Sequence, residues 1–496
     1  MNAIEREASE VLALVRFLKN SFAPVNKISP VVLSLIPDYL DEVDKYQDLI
    51  ALTHVCRIWR DVFISRASLW THLDLMHVDQ TRVYIQRSKS SPLEILIGGD
   101  PPFQFSDDAL SLVMPHLHHR LKSLTIMGGD IPSISKQFHF HSPLLEELKI
   151  CVGPSEEPTL DRELFNGALS TLRSLSLDRV VTDLPWKNLA NLEFLSIGSE
   201  ILGYNMTQLL NLFEAAPLLR TIRLGHSIPE SSDAPPQRTV PLLHLNTLHI
   251  KADSAHSTVL NHLSIPTGAS LTHVFHYRGN GSPLLHCLPE SSPNLLNLSH
   301  ITAINLCFNL THKLRLTGPS GGLRMFANCS NGQISSYDRD CQILRSIRVR
   351  ILSTTRRLSF SKYEHYNAAD AGGCPVLQSL SLTNSLRTLV LSQCNNLPFI
   401  FALDPAKNPF ETLLCPDLEE FVLYIRAREQ FHTKHLINMA KNRASRGVKL
   451  SSVTVIGLGE LAPRTEVFRL RDYVTHVEYR LDDASPAWDD LPVGWR

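Results

Sequence analysis

The sequence predicts an α/β protein in which a small all-α domain near the N-terminus is followed by an irregular solenoid of repeated strands, curved as a horseshoe. Three observations carry that reading. A hexad of the form Leu-x-x-Leu-x-Leu begins at residues 121, 145, 172, 192, 219 and 245, so successive starts lie 24, 27, 20, 27 and 26 residues apart. Such a period fits units that each add one strand with inward apolar positions. Residues 28–75 space their apolar side chains at steps of three and four, the helical period. Finally, 496 residues exceed what one hydrophobic core usually supports, which favours several domains or an extended array.

Taken in chain order, residues 1–24 form an N-terminal helix. Ile4, Ala8, Val11, Val15 and Leu18 share one face, opposite Glu and Arg, before a break at Ser21–Pro24. This is a packing or partner helix; its polar face lacks the basic bias of a membrane-surface helix. The opening residues carry acids and no long apolar run, so neither a signal peptide nor a transmembrane helix is expected.

Residues 25–75 form the helical domain. Pro30 opens a short helix carrying Val31, Leu33, Ile36 and Leu40, which Pro37 shortens or kinks. Leu49, Leu52, Val55, Cys56, Trp59, Val62 and Phe63 then predict one further helix with a broad apolar face, and Asp48 sits near its start, where the helix dipole favours an acid. So short a segment buries little surface alone and is expected to lean on something else.

The order of residues here resembles the F-box family: a Pro-led first helix at Pro30, then Val55-Cys56-Arg57-Ile58-Trp59-Arg60, then Ser68-Leu69-Trp70. The match covers about a tenth of the chain and departs from the family at Ile28-Ser29-Pro30, where many members carry Leu-Pro. The resemblance implies docking on a Skp-type adaptor and, through it, on a cullin-RING ligase of the SCF type. On that reading Pro30, Leu33, Ile36, Leu49, Leu52, Val55, Cys56, Trp59, Leu69 and Trp70 form the adaptor-binding set. Helix docking would bury the apolar surplus of this segment. Read from the residues alone, Trp59 and Trp70 are core anchors of a small helical domain.

Residues 76–116 are a linker or a first irregular repeat, and residues 117–480 are the repeat domain. Weaker hexads continue at 271, 301, 344, 377, 386, 418 and 450. The unit LRTLVLSQCNNL, 386–397, resembles the cysteine-containing leucine-rich repeats often joined to F-boxes, with Cys394 at the turning position. The nine-residue step from 377 to 386 is too short for a full repeat, so one of those two strands lies outside the regular ladder. With the leucines inward, the concave face is polar and mixed, which suits a protein target better than a small substrate. Arg223, His249, Arg348 and Arg350 are its candidate target-binding residues. A local excess of arginine around Arg339–Lys362 reads either as a solvated repeat edge or as a seat for acidic or phosphorylated peptides. The last segment, 481–496, is a C-terminal tail or cap.

Lys plus Arg total 48 against 49 Asp plus Glu, so no global field favours nucleic acid or anionic membrane. Nine scattered cysteines without a CxxC pair suit free thiols in a reducing compartment, placing the chain in cytoplasm or nucleus. No cofactor or metal is expected, since neither His116, His118 and His119 nor His432 and His435 have further ligands at metal spacing.

Two catalytic patterns compete. GPSGG, 318–322, satisfies G-x-S-x-G around Ser320, with a helix expected over LRMFANC and Asp404 plus His432 or His435 downstream; its structural context decides whether a serine hydrolase is present. Gly457-x-Gly459-x-x-Ala462, with Glu478 beyond, imitates a dinucleotide fingerprint, but Pro463 falls where the phosphate-binding helix would run. The expected function is therefore non-enzymatic: a substrate receptor whose helices dock the ligase and whose repeats hold a protein target. The alternatives are an F-box scaffold outside any ligase and, more distantly, the serine hydrolase.

Overall fold

The computed structural model describes residues 3–40, 45–75, 77–98, 107–128, 136–152, 159–160, 163–167, 169–182, 189–198, 206–225, 238–252, 258–277, 294–298, 301–307, 311–318, 322–329, 354–361, 377, 380–408, 412–426, 432–458 and 465–482. The chain is mixed α/β and divides into two units, residues 1–192 and 193–496.

The first unit opens with helix α1 (Ala3–Ser21), whose apolar residues Val11, Val15 and Leu18 are all exposed. Helix α2 (Pro30–Ser34) begins with Pro30 in its first turn, where a missing N–H costs nothing, and stops short of Pro37, which lies in a separate 3-10 turn over Ile36–Tyr39. The single long helix expected over Leu49–Phe63 is instead two, α3 (Lys45–Val55) and α4 (Arg57–Ser65). The break is Cys56, extended at φ −161° and ψ 176°. It lets α4 pack against both α3 and α2, so that Trp59 and Phe63 meet Leu33 in one cluster. Arg60 closes the joint by donating from Nε to the carbonyl of Thr53 at 3.0 Å, satisfying an acceptor at the C-terminal end of α3.

The ladder then begins at once. Strand β1 (His72–Asp74), helix α5 (Val78–Ser88), strand β2 (Leu93–Gly98), helix α6 (Asp107–Arg120) and strands β3 (Leu121–Met127), β4 (Glu147–Cys151) and β5 (Ser174–Asp178) follow. All five strands pair in parallel, through His72↔Glu94, Glu94↔Ser123, Ser123↔Glu147 and Glu147↔Ser174. The ladder thus starts within residues 25–75, and residues 76–116 carry α5, β2 and most of α6. Hexad leucines point inward as expected: Leu121, Leu124 and Ile126 are buried, as are Leu145, Leu148 and Ile150. Period-2 alternation leaves Ser123, Glu147 and Ser174 on the other face.

In the second unit, β6 (Phe194–Ile197), helix α7 (Met206–Ala215), β7 (Thr221–Leu224), β8 (Thr247–Ala252) and β9 (Ser270–Tyr277) continue the same pattern, with β6, β7, β8 and β9 pairing in parallel. The rhythm then changes. Strands β10 (Ala303–Cys307), β11 (Thr311–Thr317) and β12 (Gly322–Cys329) form an antiparallel meander whose last strand, not its first, lies beside β9. The spatial order is β9, β12, β11, β10, and β10 is followed by β13 (Arg357–Ser361) in parallel. Parallel pairing resumes through β14 (Thr388–Ser392), β15 (Glu420–Arg426), β16 (Ser452–Leu458) and β17 (His476–Asp482), with helices α8 (Leu397–Leu403) and α9 (Thr433–Ser445) between them. No closed barrel forms among the described strands.

Of the weaker hexads, those at 271, 301, 386, 418 and 450 contribute to strands; the one at 344 lies outside the described residues. The one at 377 is not a strand. Leu377 and Leu380 are buried on helical backbone, because Leu-x-x-Leu is also one turn of a helix. None of the described helices is long and apolar enough to cross a membrane.

Candidate functional site

Two surfaces follow from this architecture. The first is the helical region around α2–α4. Its core is Leu33, Trp59 and Phe63, with Ile36, Leu52, Cys56, Val62 and Leu69 packed against it. Trp59 meets Phe63 edge to face at 5.7 Å, and its indole N–H donates to Oδ1 of Asn26 at 2.9 Å. The Cys56 thiol approaches that same oxygen at 3.6 Å, so Asn26 ties the segment ahead of α2 to α4. Trp70 is wholly buried: its indole donates to the Phe63 carbonyl at 2.9 Å, Tyr84 packs against it edge to face, and the Arg87 guanidinium lies 4.2 Å over its ring. Arg66 fastens the opposite side, forking onto both oxygens of Asp38 at 3.0 and 3.1 Å and donating to the Ser34 carbonyl.

The sequence-derived adaptor set therefore separates into two groups. Leu33, Leu49, Trp59 and Trp70 are buried in the chain's own core, so their side chains hold this region together. Ile36, Leu52, Cys56 and Leu69 are half-buried, while Pro30 and Val55 are exposed. The apolar side chains presented outward include four that stand outside the sequence-derived adaptor set, of which the sequence named only Val31 on the short helix: Val31 at 71 % exposure, Val32 at 56 %, Leu35 at 45 % and Tyr39 at 86 %. The signal for Val32 and Leu35 was their position one or two residues from buried Leu33 on a short helical stretch, hence off its buried side.

The second surface is the outward face of the sheet in the second unit. Pairing registers place Ser196, Arg223, His249, Thr272, Arg324, Arg315 and Asn305 in one row across seven neighbouring strands. Arg223 lies 5.3 Å over the Phe194 ring. Partial burial, together with the neighbouring Arg223 and Arg324 cations, lowers His249 to about 4, so its imidazole is neutral at neutral pH. The sequence reading found Arg223 and His249. It missed Arg324 and Arg315 because they lie on the meander; two alternating segments, THKLRLT and GLRMFANC, on either side of a Gly-rich string were the available hairpin signal. Arg348 and Arg350 lie outside the described residues.

The competing catalytic patterns land elsewhere. Ser320 lies outside the described residues, but GPSGG joins antiparallel strands β11 and β12, so LRMFANC is a strand and the strand–turn–helix of a nucleophile elbow is missing there. Asp404 is buried and accepts from the Ala406 amide at 3.0 Å and from Asn442 Nδ2 at 2.8 Å, while His435 Nδ1 sits 3.5 Å from Lys407 Nζ. The apparent dinucleotide fingerprint begins in β16, between β15 and β17. No cluster of three His, Cys, Asp or Glu suited to a metal occurs among the described residues. No protein-family model matches the chain, and no curated protein matches it either.

Proposed function

We propose that this chain is the substrate-recognition subunit of an SCF-type ubiquitin ligase, with an F-box around α2–α4 docking a Skp-type adaptor and an irregular leucine-rich-repeat horseshoe holding a protein target in cytoplasm or nucleus. The observation that carries the reading is the division of labour within the motif. Trp59, Phe63 and Leu33 close a private core, and Val31, Val32, Leu35 and Tyr39 remain on the outside as an apolar surplus. Burying each such side chain is worth about 1.5–3 kcal/mol, enough in sum to hold a partner helix. The chain's role is positional: a target held near a ubiquitin-loaded enzyme presents its lysines at raised effective concentration.

The test is co-expression with a Skp adaptor and pull-down of the full chain beside a Val31→Asp/Leu35→Asp double variant. Both positions are exposed, so the variant is expected to keep its fold and lose the adaptor. Equal capture by the double variant, or no capture by the intact chain, would sink the ligase reading.

A further inference from the structure

The eight strands of the second unit from β6 to β13 contain no aspartate or glutamate at any position. They contain Arg223, His249, Lys251, Arg315, Arg324 and Arg357 on the outward face, the parity opposite to buried Leu248, Leu316, Leu323 and Leu358. Ladders to either side in sequence differ: β1, β2, β4 and β5 carry Asp74, Glu94, Glu147 and Asp178, and β15 and β17 carry Glu420 and Glu478. Strand acids are thus absent from this one stretch, in a protein whose net charge is −1.

Within that stretch the middle row is the most concentrated. Arg324 and Arg315 are direct partners across the β12–β11 pair, and Thr272 and His249 continue the row to Arg223. At about 4.8 Å per strand, Arg223 to Arg315 spans roughly 19 Å, the length of about six residues of extended chain. Guanidinium forks match carboxylate and phosphate oxygens in pairs.

We propose that the row Arg223–His249–Thr272–Arg324–Arg315 is the seat for an acidic segment of a partner polypeptide, its carboxylate or phosphate groups taken by the three arginines. The proposal rests on the receptor reading for its biological setting and on the strand registers for its geometry. A peptide is favoured over nucleic acid because the basic stretch is short and Phe194, an aromatic beside it, lies beneath Arg223 and so lacks a bare ring face for a base on that side. Half-buried His249 supplies a hydrogen bond between the charges, which fixes the register of the segment rather than its affinity, and Thr272, 3 % exposed, forms the floor of the row.

The experiment is fluorescence anisotropy on the full chain with two labelled probes of about twelve residues, long enough to cover the row: alternating glutamate and serine, and the same peptide with phosphoserine. Arg324→Glu and Arg223→Glu are each expected to weaken binding about tenfold or more, with Lys149→Glu, in the other unit, unchanged and all three showing wild-type circular dichroism. Preference for the phosphoserine probe assigns phosphate as the recognised group; equal binding assigns carboxylate. Failure of both probes to bind, full affinity in the reversed variants, or tighter binding of a single-stranded RNA of the same length overturns the proposal. Adaptor capture measured on the same samples keeps the two readings apart: peptide binding without capture leaves this site standing and sinks the ligase, and capture without peptide binding does the reverse.

Discussion

Trp59→Ala is the most informative single change to the helical region. The side chain is 8 % exposed, packs on Phe63 at 5.7 Å and donates to Asn26 at 2.9 Å. Removing a buried aromatic from a packed core costs about 3–5 kcal/mol, and the lost hydrogen bond adds about 1 kcal/mol. A helical region of this size holds about 3–5 kcal/mol in all, so the variant should unfold it locally. The ladder of the second unit, with its own core, should persist. Hydrogen–deuterium exchange read by mass spectrometry separates the two: peptides over Pro30–Ser65 should lose protection, and peptides over Thr388–Ser392 and Ser452–Leu458 should keep it. Trp59→Phe retains most ring contacts and should show intermediate protection. Native-like exchange in α4 of the alanine variant, or equal loss everywhere, would refute the reasoning. It also follows that loss of adaptor binding in Trp59→Ala would report unfolding rather than a deleted contact, which is why exposed Val31 and Leu35 are the proper docking probes.

Other changes test other parts of the fold. A methyl at Gly322 would sit 2.2 Å from the Leu316 carbonyl oxygen and 3.3 Å from the Thr317 Cα, both backbone. Gly322→Ala should therefore splay the meander at a cost of about 1–3 kcal/mol, lowering the melting temperature and weakening binding of the acidic probes by moving Arg315 and Arg324. Arg443 is fully buried and donates to the carbonyls of Leu414 at 3.0 Å and Cys415 at 2.8 Å. Arg443→Met should strand both acceptors and lower stability in urea by about 2–5 kcal/mol; a change under about 1 kcal/mol would mean the loops re-satisfy themselves. Burial holds His273 at about 4, below its ordinary 6.5, so the unfolded chain takes up the proton first as pH falls. Stability should be flat with respect to this group above about 6.5 and decline from there toward 4; His273→Gln should flatten that decline in acid melts.

The inward leucines of the rungs were legible because a strand with one buried face writes its period directly into the sequence: Leu124, Leu148, Leu175 and Leu195 all stand where the hexads place them. What escaped were elements whose pattern has two physical solutions. Leu377-x-x-Leu380 fits a strand start and a helical turn equally, and the helix is what forms. The apolar spacing from Leu49 to Phe63 survives a break, because the two helices on either side of Cys56 still bury Leu49, Trp59 and Phe63 and, of that stripe, only Val55, at the break, is left exposed. Strands β11 and β12 were hidden by GPSGG, a string that is a hairpin turn in one context and a catalytic elbow in another; only strand pairing distinguishes them. On the helical surface, buried anchors were easier to find than contact residues. Apolar side chains announce burial, and Val31 and Leu35 are exposed against that rule.

Trp70 ends the helical region and His72 begins the ladder, with Tyr84 and Arg87 of α5 closing over the Trp70 ring. Cutting the chain at residue 75 would therefore strip cover from Trp70 and leave Leu73, now 1 % exposed, on a strand without its neighbour β2. In genetic terms the helical head is not a cassette. A recombination joint that transplants it onto another chain, or an insertion that lengthens the spacer, is tolerated only beyond Gly98, so the smallest heritable module carries its first two strands with it.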